Sequence, residues 1–100
     1  MPTLQVTVSH QIDKEGARER LQRFIEDKKH LYGDHVKDLE ETWDGHALHY
    51  SFSAKGFKTK GILTVEETHV VLDGTLPFAA MLFRGRIEQD IRTALTEALA

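Results

Sequence analysis

The stretch WDGHALHYSFSAKGFKTKGILTV, residues 43–65, decides the fold. Leu48, Tyr50, Phe52 and Ala54 fall on one side of a two-residue period, and Ala47, His49, Ser51 and Ser53 on the other. After Lys55-Gly56, Phe57, Thr59, Gly61, Leu63 and Val65 share a side, opposed by Lys58, Lys60, Ile62 and Thr64. A period of two marks strands with one buried face. Asp44-Gly45 predicts a type I′ hairpin turn, which needs positive φ at both central positions. Lys55-Gly56 predicts a second turn.

Working outward, Glu67-Thr68 reads as a further turn, and His69 to Leu76 places Val70, Leu72, Gly74 and Leu76 inward. Upstream, Val36 to Trp43 is the least regular strand, with Leu39, Glu41 and Trp43 in phase. Near the start, Thr3 to Ser9 alternates cleanly, with Leu4, Val6 and Val8 on one side.

Two helices complete the pattern. Asp13 is placed as the N-cap of a helix from Lys14 to Tyr32, with Glu15 in the first turn, where the helix dipole favours negative charge. Ala17, Leu21, Phe24, Ile25, Leu31 and Tyr32 form its apolar stripe, crossed by Lys28, while Arg18, Glu19, Arg20 and their neighbours read as a solvated face. Gly33 is the expected stop in a left-handed conformation. Pro77 suits the first turn of a second helix, whose stripe is Phe83, Ile87, Ile91, Ala94, Leu95 and Ala98, with a bend expected at Gly85.

The order is β-α-β-β-β-β-α. It predicts a two-layer α+β fold over residues 1–100, read as one domain: a five-stranded antiparallel sheet with both helices on its apolar face. A helix of ~19 residues spans about 28 Å, matching an eight-residue strand of about 27 Å.

Composition narrows the chemistry. The chain has 100 residues, 40% hydrophobic and 29% charged, with no cysteine and a formal charge of −3. Absence of cysteine removes disulfides, thiolate metal sites and a cysteine nucleophile. The acidic balance argues against a phosphate-neutralising surface, so no nucleic-acid partner is expected. No signal peptide or transmembrane run is visible, and a cytoplasmic location is expected.

Six histidines invite a metal reading. His46 and His49 are three apart on a strand and so face opposite ways. His10, His30, His35 and His69 show no ligand spacing, and surface histidines are the expectation. Glu40-Glu41 and Glu66-Glu67 are adjacent pairs that also diverge. Ser9, Ser51 and Ser53 lack a nucleophile-elbow context, and the isolated glycines form no phosphate cradle. No catalytic residue, metal or cofactor is expected.

The most unusual segment is LPFAAMLF, residues 76–83, which is apolar around more than one helical face. Such a segment is either packed into the core or left out for a partner. In the first case Phe78, Met81 and Leu82 plug one end of the sheet–helix core. In the second, Phe78, Met81, Leu82 and Phe83 contact a partner, a second copy or a hydrophobic surface.

From about Leu4 to Leu99 the chain resembles the polyhydroxyalkanoic acid system family, also described as polyhydroxyalkanoate granule-region proteins. The resemblance lies in Ser9-His10 after the opening strand, Gly16-Ala-Arg-Glu-Arg-Leu21, Trp43-Asp-Gly-His-Ala-Leu48, Gly61-Ile-Leu-Thr-Val65 and Leu76-Pro-Phe78. Ile87-Glu-Gln-Asp-Ile91, Leu95 and Leu99 complete it. It implies a non-enzymatic accessory protein in bacteria, with the granule or its proteins as partners and no assigned catalytic residues. The topology also resembles a reduced helix-grip scaffold, found in many carriers of hydrophobic ligands.

Two alternatives accompany that reading. A carrier of acyl chains would hold its ligand in a cavity of at least ~300 Å³ lined by Tyr50, Phe52, Leu63, Leu72 and Ile91. An oligomerising structural domain would bury residues 76–83 between two copies.

Overall fold

The computed structural model describes every residue except Met1 and Lys55, and every remaining side chain except that of Tyr32. The chain runs β1 (Thr3–Ser9), α1 (Lys14–Tyr32), β2 (Lys37–Asp44), β3 (Ala47–Ala54), β4 (Phe57–Val65), β5 (His69–Thr75) and α2 (Arg84–Leu99). The sheet order is β1-β5-β4-β3-β2, with every neighbouring pair antiparallel. Consecutive hairpins from β2 to β5 leave one edge of β5 free, and β1 pairs there. The expected α+β order is the order found.

Register lines up the inward side chains in rows across the sheet. One row is Val65–Val70–Val8, and the next is Leu48–Leu63–Leu72–Val6. Then comes Tyr50–Gly61–Gly74–Leu4, followed by Phe52–Thr59 and Ala54–Phe57. Most of the first two rows is buried with Ala17 and Leu21 of α1 and Leu95, Ala98 and Leu99 of α2. The helices close over this end. The rows from Tyr50 onward are only partly covered.

Local details depart from expectation in four places. Asp13 does cap α1, its Oδ1 accepting from the Gly16 amide at 2.6 Å. At the other end, however, Gly33 has φ −56, and the chain tightens into a 3-10 turn, Gly33–His35, with no left-handed cap. Positive φ falls instead on Asp38 (φ 55), where β2 shifts register between Lys37 and Glu40. Aspartate tolerates this conformation better than most side chains.

The β2–β3 loop is Gly45–His46, because Asp44 already pairs with Ala47. Only Gly45 (φ 60) is positive there, the pattern of a type II′ turn instead of I′. At the next hairpin Gly56 has φ 81, while the Lys55 half of that expected turn lies outside the described residues. Finally, Pro77 opens a 3-10 segment, Phe78–Phe83, and not the α-helix. The helix proper starts at Arg84, just before the expected Gly85 bend, and runs 16 residues.

Arg18 is half-buried and does more than face solvent. Its guanidinium lies 4.7 Å from the Trp43 ring centroid, and its Nε donates to the Gly45 carbonyl at 2.9 Å. It therefore ties α1 to the β2–β3 hairpin. Arg18→Ala is expected to cost about 1 kcal/mol, lowering Tm by roughly 4–8 °C for a chain of this length. Glu19→Ala, on the exposed face, should stay within about 0.5 kcal/mol in the same melt.

Candidate functional site

Where the helices stop covering the sheet, an apolar cavity of about 620 Å³ lies between the two layers. Tyr50, Phe52, Leu63 and Leu72 line it from the sheet and Ile91 from α2, so the structure brings together all five residues expected around a ligand cavity. Phe24 and Ile25 of α1 and Ile87 of α2 add to the wall. Leu39 and Phe57, 41% and 49% exposed, also line it and leave part of their apolar surface to solvent.

Two glycines lie beneath Tyr50, of which Gly74 lines the cavity. Gly61 and Gly74 face each other across β4 and β5, next to Tyr50 in the same row. With no side chains there, the Tyr50 hydroxyl reaches over both: an added Cβ would lie 2.5 Å from it at Gly61 and 2.6 Å at Gly74. The Tyr50 ring is also stacked near Phe52, centroids 6.1 Å apart. Phase alone places both glycines inward. Their pairing depends on cross-strand register, which periodicity does not carry.

The other polar groups in the wall are already engaged. Thr59 Oγ1 donates to the Thr75 carbonyl at 2.6 Å. Thr75 Oγ1 accepts from the Lys60 amide at 3.2 Å and donates to the Lys60 carbonyl at 3.4 Å. Glu41 pairs with Lys29, which also reaches Glu26 at 2.9 Å. Hydrogen bonds to Glu41 first, then Glu26, hold the Lys29 ammonium above its ordinary 10.5. Among the described residues, the Tyr50 hydroxyl has no hydrogen-bond partner.

Burial of the phenol, with a smaller effect from the Asp73 carboxylate, pushes Tyr50 above the ordinary 10.0. A raised folded value means the native state keeps a proton that the unfolded chain releases, so stability falls as pH climbs past about 10. Lys29 acts with the same sign from 10.5 upward. Urea unfolding between about pH 9 and 11 should therefore cost the wild type more stability than Tyr50→Phe. Equal losses would mean that Tyr50 titrates as a solvated phenol.

In the 76–83 segment Leu76 joins the core, but Phe78 and Leu82 do not plug it. Phe78, Leu82 and Phe83 are 78%, 91% and 62% exposed, whereas Met81 packs against the buried cluster. None of these four lines the cavity.

The histidines are not all at the surface. His10 is buried, its Nε2 donating to the Glu66 carbonyl at 2.9 Å, while its Nδ1 has no partner among the described residues. His46 Nε2 pairs with Glu15 in the first turn of α1. No three histidine, aspartate or glutamate side chains among the described residues converge as metal ligands. On the sheet's other face, Ser51 directs its hydroxyl to Glu40 at 3.5 Å and not to His49. No helix among the described residues is long and apolar enough to cross a membrane.

An α+β fold with an apolar cavity between its layers is thus the class to which this chain belongs. Its family is the one described as "Putative polyhydroxyalkanoic acid system protein", whose model matches residues 4–99; the chain belongs to it. No curated protein matches the sequence. Among solved structures, the chain is similar to the crystal structure of TTHA0849 from Thermus thermophilus, at 15% identity and a TM-score of 0.39. That match covers 98% of this chain and 94% of the other, and so distant a likeness carries no functional weight.

Proposed function

We propose that this protein is a non-enzymatic accessory component of the bacterial polyhydroxyalkanoate system that carries a medium-length acyl chain between its sheet and helices. The observation that supports this reading is the cavity of about 620 Å³, walled almost wholly by aliphatic and aromatic side chains. Ligand pockets of small molecules fall between about 300 and 1,000 Å³ and are largely apolar with few polar groups. The helix-grip analogy points the same way. Isothermal titration with decanoic acid tests it. Saturable one-to-one binding, with a rise in Tm as ligand is added, is expected. No heat and no shift in Tm would end the carrier reading.

A second reading concerns where the cargo is collected or delivered. The exposure of Phe78, Leu82 and Phe83 favours contact with a granule surface or a granule-associated protein. Co-sedimentation with purified granules should weaken on Phe83→Asp while decanoic acid binding persists. Sedimentation equilibrium separates this from self-association: a concentration-dependent dimer lost on Phe83→Asp would assign the strip to a second copy.

A further inference from the structure

We infer that Tyr50 is a specificity residue, and that the cavity selects acyl chains bearing an oxygen substituent, such as a hydroxyacyl chain or its ester, over plain hydrocarbon chains. This rests on the carrier reading above and names its ligand class.

Most polar groups in the wall are satisfied within the protein. The hydroxyls of Thr59 and Thr75 bond to backbone atoms of β4 and β5, and Glu41 is paired with Lys29. Among the described residues, Tyr50 alone brings an unpaired hydrogen-bonding group to the cavity floor. The hydroxyl is not among the fully enclosed atoms without a partner, so it stays open to water until a ligand covers it, and a ligand that offers no acceptor then leaves it unsatisfied.

The neighbouring row reinforces this. Gly61 and Gly74 are both interior strand positions, where glycine weakens a sheet and marks a close approach. What approaches here is the Tyr50 hydroxyl. The absence of side chains at two facing positions thus lets one phenol lie flat along the floor, against the surface a bound chain would touch. An oxygen on the ligand would accept from Tyr50, whereas a bare methylene would strand the hydroxyl without a partner.

The test compares decanoic acid, 3-hydroxydecanoic acid and the methyl ester of a linear 3-hydroxybutyrate trimer, on wild type and Tyr50→Phe. The hydroxyl and ester probes distinguish the two sources of oxygen. At least one of them should bind wild type about 5- to 10-fold more tightly than it binds Tyr50→Phe. Decanoic acid should bind both equally or favour the variant, and the variant's Tm should not fall. A purely structural role would lower Tm and weaken all ligands together.

Gly74→Ala, whose Cβ would displace the hydroxyl, supplies a second variant and should reproduce the selective loss. If decanoic acid and the oxygen-bearing probes all bind but Tyr50→Phe changes none of them, this inference fails and the carrier reading stands. If no probe binds wild type, the carrier reading itself fails.

Discussion

Ile91→Trp is expected to lower decanoic acid affinity by about 10-fold while leaving the fold as stable as wild type or more so. Ile91 projects from α2 into the space above Leu63, Leu72 and Tyr50. Beyond the isoleucine it replaces, a tryptophan takes the volume of roughly two ligand methylenes, each worth about 0.8 kcal/mol, or about 1.5 kcal/mol in all. In a close-packed core the same enlargement would cost about 1–3 kcal/mol through forced rotamers and backbone shifts. Stability and binding therefore move in different directions only if the space is a cavity. Calorimetric titration and thermal melting on one variant decide it. An early melt would identify Ile91 as packed core; unchanged affinity would put the ligand elsewhere.

Gly61→Ala should be the more damaging of two similar substitutions, destabilising by about 3 kcal/mol. Its Cβ would meet the Asp73 carbonyl oxygen and lie 2.8 Å from the Gly74 Cα, both backbone atoms fixed by the β4–β5 ladder. Gly74→Ala meets only the Tyr50 hydroxyl at less than 3 Å, the far end of a side chain that can swing aside. It should cost about 1 kcal/mol or less, read as a urea midpoint. If the two variants melt together, the tight backbone approach at Gly61 is not what holds that strand pair.

The strand faces are legible because burial on one side imposes a period that no other element shares. Leu4, Val6 and Val8 alternate with exposed Thr3, Gln5, Thr7 and Ser9 as the periodicity requires. Phase also places Tyr50, Phe52, Leu63 and Leu72 on one face and Ile91 on the stripe above it. What phase cannot show is how closely the helices approach. The space lies above the row where two glycines make room for Tyr50, and the chain after Pro77 runs through six residues of 3-10 segment before α2 begins. Both depend on register and on where the backbone must travel.

Turn chemistry is harder to read for a related reason. The residues of the Asp44-Gly45 signal are present, but the pairing of Trp43 with Leu48 and Asp44 with Ala47 moves the loop one residue on. Gly33 needs no left-handed cap because the 3-10 turn already redirects the chain. Arg18 sits among polar neighbours on the helical wheel, yet its length lets it reach Trp43 and Gly45 on another element. Reach of this kind leaves no trace in spacing.

The lopsided burial of the sheet has a consequence for how such a sequence can change. Residues such as Val65, Val70, Val8 and Leu21 carry cooperative folding, and a substitution there is felt throughout the molecule. Phe52, Ala54 and Phe57, at the opposite margin, are less enclosed and depend less on their neighbours. That margin can be recut, deepened or narrowed while the anchoring end keeps the chain together, so the size of the cavity is adjustable without disturbing the fold.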